Sequence, residues 1–94
     1  MAKVLLASLI TSRKAWFIAF SKKLLERFPG GYYSFSDSKN VWQVYNKTGK
    51  LLVSVGLRMD TNEWIYLYLA RGKQINGRTQ VLKDLLSLIP LIGD

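Results

Sequence analysis

The alternation of apolar and polar positions divides the chain into short elements. The run VLLASLI at 4–10 is apolar on both faces. That suits a central strand or a buried helical segment, which periodicity alone does not separate. Thr11 or Ser12 can cap a following helix by accepting an orphan amide hydrogen bond. The spacing predicts that helix over 13–28, where Phe17, Phe20, Leu24 and Phe28 form one stripe. FPGG ends it, because Pro29 cannot extend the hydrogen-bond ladder and Gly30 and Gly31 accept positive φ.

Strand patterns follow. YYSFSDS at 32–38 is short and polar, an edge or lead-in strand. VWQVYNK and KLLVSVGLR alternate around Thr48-Gly49, a tight-hairpin signal that pairs Lys47 with Lys50. MDTNE reads as a five-residue loop, and WIYLYLAR is the strongest strand. GKQINGRT reads as a loop with an Asn-Gly turn, and with Arg71 before it the stretch holds three cations. Thr79 then caps a closing helix over 80–89, whose apolar face includes Val81, Leu82, Leu85, Leu86, Leu88 and Ile89, with Pro90 as the stop. The order is β-α-β-β-β-α, or α-β-β-β-α if the first run is helical. Either gives a single α+β domain over 1–94. Its three- to four-stranded, antiparallel-rich sheet is packed on one face by an N-terminal and a C-terminal helix.

Hairpin register assigns the sheet faces. If Arg58 pairs with Trp64, then Trp42, Val44, Leu51, Val53, Val55, Leu57, Ile65, Leu67 and Leu69 share the core face. Trp64, Tyr66 and Tyr68 fall on the opposite face with Tyr45 and Arg58. That aromatic row can serve as a stacking platform, as a homodimer interface, or as core beneath a second helix. A bulge at either turn exchanges the faces of one strand.

Composition narrows the chemistry. Fourteen Lys and Arg face six Asp and Glu, a formal charge of +8, which points to a polyanionic partner. No cysteine and no histidine are present, which removes disulfides, thiolate and imidazole zinc sites, and Ser-His or Cys-His catalysis. The absence of cysteine fits an intracellular, cytoplasmic setting. The first apolar run is too short to span a bilayer and lacks a small-x-small cleavage site, so no membrane span is expected. No acidic pair has a spacing that demands acid–base work, and no catalytic residue, metal site or cofactor is expected.

The expected function is therefore charge-driven DNA or RNA binding by a non-enzymatic, homodimeric domain, with Arg58, Trp64, Tyr66, Tyr68, Arg71, Lys73, Arg78 and Tyr45 as contacts. The loop holding Arg71, Lys73 and Arg78 leads into a helix N-terminus, which suits phosphate. A homodimer or an acidic protein meeting the aromatic face is the alternative. The run from KLLVSVGLR through WIYLYLARGK to the closing helix also resembles the late strands of small bacterial toxins that cut messenger RNA on the ribosome. It covers under half of the chain and carries no diagnostic motif. The resemblance implies phosphate and base contacts by Arg58, Arg71, Lys73 and a tyrosine such as Tyr66. The α-β-β-β-α order is also that of double-stranded-RNA-binding domains, but TQVLKDLL offers only Lys83 where their last helix begins lysine-rich.

Overall fold

The computed structural model describes residues 2–36, 40–58 and 60–93, and side chains from Arg13 onward. Helix α1 (Ala2–Leu25) leads into five strands: β1 (Tyr32–Ser36), β2 (Val41–Tyr45), β3 (Leu51–Arg58), β4 (Glu63–Ala70) and β5 (Lys73–Thr79). A 3₁₀ helix (Leu82–Leu91) closes the chain. The strands form one antiparallel meander in chain order, covered on one face by α1 and the 3₁₀ helix. The α+β class is as the sequence predicts, with five strands rather than three or four. Asp37, Ser38 and Met59, assigned above to a strand and a loop, lie outside the described residues.

The first run takes the helical one of its two readings, and three elements differ from expectation: the end of α1, β5 and the closing helix. The run at 4–10 is helical and continuous with α1, so no strand precedes the helix. The α-helix stops at Leu25, before FPGG. Arg27 and Phe28 then donate to the carbonyls three residues back, at 3.1 Å each, so the last turn tightens toward 3₁₀ geometry. The segment read as the GKQINGRT loop is β5, and Asn76-Gly77 lies within it rather than at a turn. The turn is Arg71-Gly72, with φ of 53° and 78°, closed by the pair Ala70 and Lys73. Positive φ at both central residues is the hairpin geometry normally signalled by Asn-Gly, and arginine at the first of them hid it.

The closing helix is 3₁₀ rather than α, and Pro90 lies inside it. Length explains the choice. The segment runs back from the end of β5 to the far end of β4, where Gly93 N donates to Leu69 O at 2.8 Å and Arg71 N to Gly93 O at 3.0 Å. Ten residues span about 20 Å as 3₁₀ helix but about 15 Å as α, and the seven-residue β5 beside it is about 23 Å long. Thr79 holds the entry: its hydroxyl accepts from Val81 N at 3.1 Å and donates to Asp84 Oδ2 at 2.9 Å.

Phe17, Phe20 and Leu24 bury the stripe read from the sequence against the sheet. The Phe17 ring sits 5.0 Å from Trp42, and Trp42 sits 4.9 Å from Trp64. Leu85, Leu88, Ile89 and Ile92 complete this core beside α1 on the same face, and Arg27 ties the two helices by donating to Ile89 O. The hydroxyl of Ser21 is buried without a partner among these side chains. Among the described residues no helix is long and apolar enough to cross a membrane.

Arg71 occupies a backbone region that costs a side-chain-bearing residue about 1 kcal/mol and that asparagine tolerates. Arg71→Asn is therefore expected to stabilise the fold by about 0.5–1 kcal/mol, raising Tm by roughly 2–8 °C. A thermal melt showing no gain would contradict this reading of the turn.

Candidate nucleic-acid interface

The β3–β4 register decides which residues any partner can reach. Arg58 pairs with Glu63, not Trp64, so β4 is offset by one residue from the expected pairing. Every β4 side chain then changes face. Trp64, Tyr66 and Tyr68 look toward the helices, and Ile65 and Leu67 look away. Trp64 is 4% exposed, with the Arg13 guanidinium 5.7 Å over its ring, and Tyr68 is 7% exposed. Tyr66 is half-buried and lies so close over Gly77 that any side chain at 77 would collide with its ring. The expected platform of Trp64, Tyr66 and Tyr68 is thus corrected: these rings build the interior.

The β2–β3 hairpin also departs from expectation, with a different result. Asn46, rather than Lys47, closes the turn opposite Lys50, and Asn46 Oδ1 accepts from Thr48 N, Thr48 Oγ1 and Lys50 N at 2.7–3.0 Å. The ladder then shifts between Val44 and Tyr45 and skips Leu52. This bulge restores the expected Val44–Val53 pair, so β2 keeps its predicted faces, and Leu52 joins the core.

On the opposite sheet face Leu69 is buried, but Ile65 and Tyr32 are exposed and the side chains between them are half-buried or exposed. Across it the register aligns Ser34, Gln43, Ser54, Leu67 and Asn76. Beside this row Val41, Gly56 and Ile65 form a shallow depression of about 260 Å³. At one corner Tyr32 pairs with Tyr45, their rings stacked 5.1 Å apart at 22°. Tyr32 is 50% exposed, and the Tyr45 hydroxyl donates to Gln43 Oε1 at 2.7 Å. Tyr45 was among the expected contacts. Tyr32 was not, because only the β1–β2 register reveals that the two rings meet.

Charge is divided between the two ends of the sheet. The β2–β3 and β4–β5 turns lie at one end, together with the C-terminus of α1, and bring Lys47, Lys50, Arg71 and Lys73 to the same edge. Between these turns Gly93 bridges Ala70 at the end of β4. Among the described residues no carboxylate lies within ion-pair distance of Lys47, Arg71 or Lys73. A cleft of about 470 Å³ opens beside this edge between Phe28, Pro29 and the turn residues Asn46, Lys47 and Thr48. Lys22 and Lys23 stand in the last turn of α1, where they offset the negative end of the helix dipole.

The far end is nearly balanced. Arg58 and Asp60 pair at 2.8 Å, and Arg78 approaches Glu63 at 3.9 Å. Hydrogen bonding from Arg58 holds the Asp60 carboxyl below its ordinary range, and the same bond raises Arg58. Both groups are exposed, so the pair adds little to stability. Of the expected cations, Arg71 and Lys73 therefore lie together at the basic end, whereas Arg58 and Arg78 are engaged roughly 25 Å away along the strands. Arg58, Arg71, Lys73 and Tyr66, the set implied by the toxin resemblance, are not brought together. Among the described residues no three His, Cys, Asp or Glu side chains could share a metal ion.

No match was found among known protein families, characterised proteins or solved structures.

The geometry separates core aromatics from surface aromatics. Trp64→Ala and Tyr68→Ala are expected to cost about 3–5 kcal/mol each, as large-to-small core changes do. Denaturant midpoints should fall for both, while Tyr32→Ala stays within about 1 kcal/mol of the parent. Equal stability of all three variants would show that the β4 rings are not core.

Proposed function

We propose that this domain binds nucleic acid, and that the basic end of the sheet supplies the phosphate contacts. One observation carries the reading: among the described residues Lys47, Arg71 and Lys73 stand together with no carboxylate in ion-pair distance, while three of the four described carboxylates, Asp60, Glu63 and Asp84, gather at the other end. Evenly mixed charge would serve solubility alone. A one-sided field draws a polyanion and fixes its orientation. Phosphate neutralisation releases condensed counterions, so affinity should fall steeply with salt.

Arg71 strengthens the argument. A long cation sits at the turn position where asparagine or glycine is easier, and its side chain is exposed. Backbone strain retained at an exposed charged residue is a feature of functional sites.

A second reading, a protein-interaction module that is homodimeric or meets an acidic partner, draws on the apolar centre of the open face, where Ile65 is 38% exposed. It would use the face rather than the charged end.

Fluorescence anisotropy with single- and double-stranded oligonucleotides between about 50 and 200 mM salt tests the proposal. Binding should weaken with salt, and Lys47→Gln, Arg71→Gln and Lys73→Gln should each flatten the log–log slope by about 0.7–0.9. Arg58→Gln and Arg78→Gln should change it far less. No salt-sensitive binding by the parent, or equal losses from both groups of variants, overturns the proposal.

A further inference from the structure

The open sheet face and the basic edge meet at one corner. The Tyr32 hydroxyl lies next to Gly49, 3.6 Å from where a side chain would start, so the stacked Tyr32–Tyr45 pair adjoins the turn that carries Lys47. We infer that this corner binds single-stranded nucleic acid in preference to duplex, with a base stacked on Tyr32. The inference rests on the polyanion reading above and adds the strand state and the contact residue.

Ring orientation is the first argument. Tyr45 already covers one side of Tyr32, fixing its plane, and Tyr32 remains half exposed. A preordered π-face loses little entropy when a base arrives, and every base can stack on it. A base inside a duplex is already stacked on its neighbours and cannot lie on the ring without being unpaired.

The surroundings of the pair are the second argument. A strand crossing the sheet along its basic edge passes from Tyr32 and Lys47 on the β1–β2 side toward Arg71 and Lys73 at the β4–β5 turn. Phosphates can follow the cations while bases face the sheet. There the amides of Gln43 and Asn76 and the hydroxyls of Ser34 and Ser54 share one row. These groups hydrogen-bond base edges without demanding one base. The positive edge complements a phosphate backbone, which commits the face to nucleic acid over a second copy of a chain that is itself +8.

The test uses the full chain with labelled single strands of DNA and of RNA, about 12 nucleotides long, and a duplex of the same length. Tyr32→Ala and Tyr32→Leu should weaken single-strand binding by about tenfold to a hundredfold, with the salt slope unchanged. Tyr32→Phe should bind as the parent does, because the ring and not the hydroxyl makes the contact. Duplex binding should be weaker in the parent and insensitive to all three changes. Circular dichroism confirms that each variant is folded.

If Tyr32→Ala and Tyr32→Leu bind single strands like the parent while the lysine and arginine variants do not, the stacking site is wrong and the charge reading stands. If the parent binds no oligonucleotide, both fall. If sedimentation shows a dimer that Tyr32→Ala dissociates, the face belongs to a second copy and the inference is overturned.

Discussion

The pairing of Arg58 with Glu63 across the β3–β4 turn is the constraint on which the rest of the molecule depends. With that register Trp64 meets Trp42, Trp42 meets Phe17, and one aromatic column joins the centre of the sheet to α1. The buried area is large because these are the largest side chains in the sequence, which matters in a chain of only 94 residues. A slip of one residue would send Ile65 and Leu67 inward and three rings outward. Those aliphatic side chains would leave voids against Phe17 and Trp42, each void costing contacts as well as transfer energy. The stability of the core and the identity of the open face are thus settled by the same turn.

The open face follows from having two helical elements on one side of the sheet and, among the described residues, none on the other. Antiparallel sheets accept this when the outer row is polar or half polar. Ser34, Gln43, Ser54 and Asn76 meet that condition, and Gly56 and Ile65 lie between them and the charged corner of Arg58, Glu63 and Arg78. Charge obeys a separate logic. Asp60 and Glu63, the acids that pair with Arg58 and Arg78, sit where β3 turns into β4, and the opposite turns carry Lys47, Arg71 and Lys73. Function is proposed at the place where the uncovered face and this potential share residues.

Much of the fold was legible in the sequence. The α1 stripe of Phe17, Phe20 and Leu24, the strands β2 to β4 and the α+β class all follow from periodicity, because each buries one face only. Periodicity was silent on the run at 4–10, which is apolar all round, and on β5, an edge strand whose polar residues and Asn-Gly pair imitate a loop. The candidate site was less legible. Deciding between Trp64 and Glu63 as the partner of Arg58 needs the length of one turn to a single residue, and the sequence MDTNE permits either. The bulge at Leu52 was equally hidden, although it cancelled the error in the neighbouring turn. Tyr32 is not legible in the sequence, because the ring it stacks on lies 13 positions away in the chain. Arg71 and Lys73 were found because charge in a turn needs no register to be exposed.

Nuclear magnetic resonance mapping tests the central claim most directly. Backbone amide shifts would be followed while a single-stranded oligonucleotide is titrated into the labelled chain. The account predicts that perturbations concentrate at Tyr32, Tyr45, Lys47, Arg71 and Lys73, with Gln43 and Asn76 beside them, and that Trp64 and Tyr68 stay still. Shifts confined to the Arg58–Asp60 end, or spread over the outer surface of α1 with the sheet corner unmoved, would contradict it.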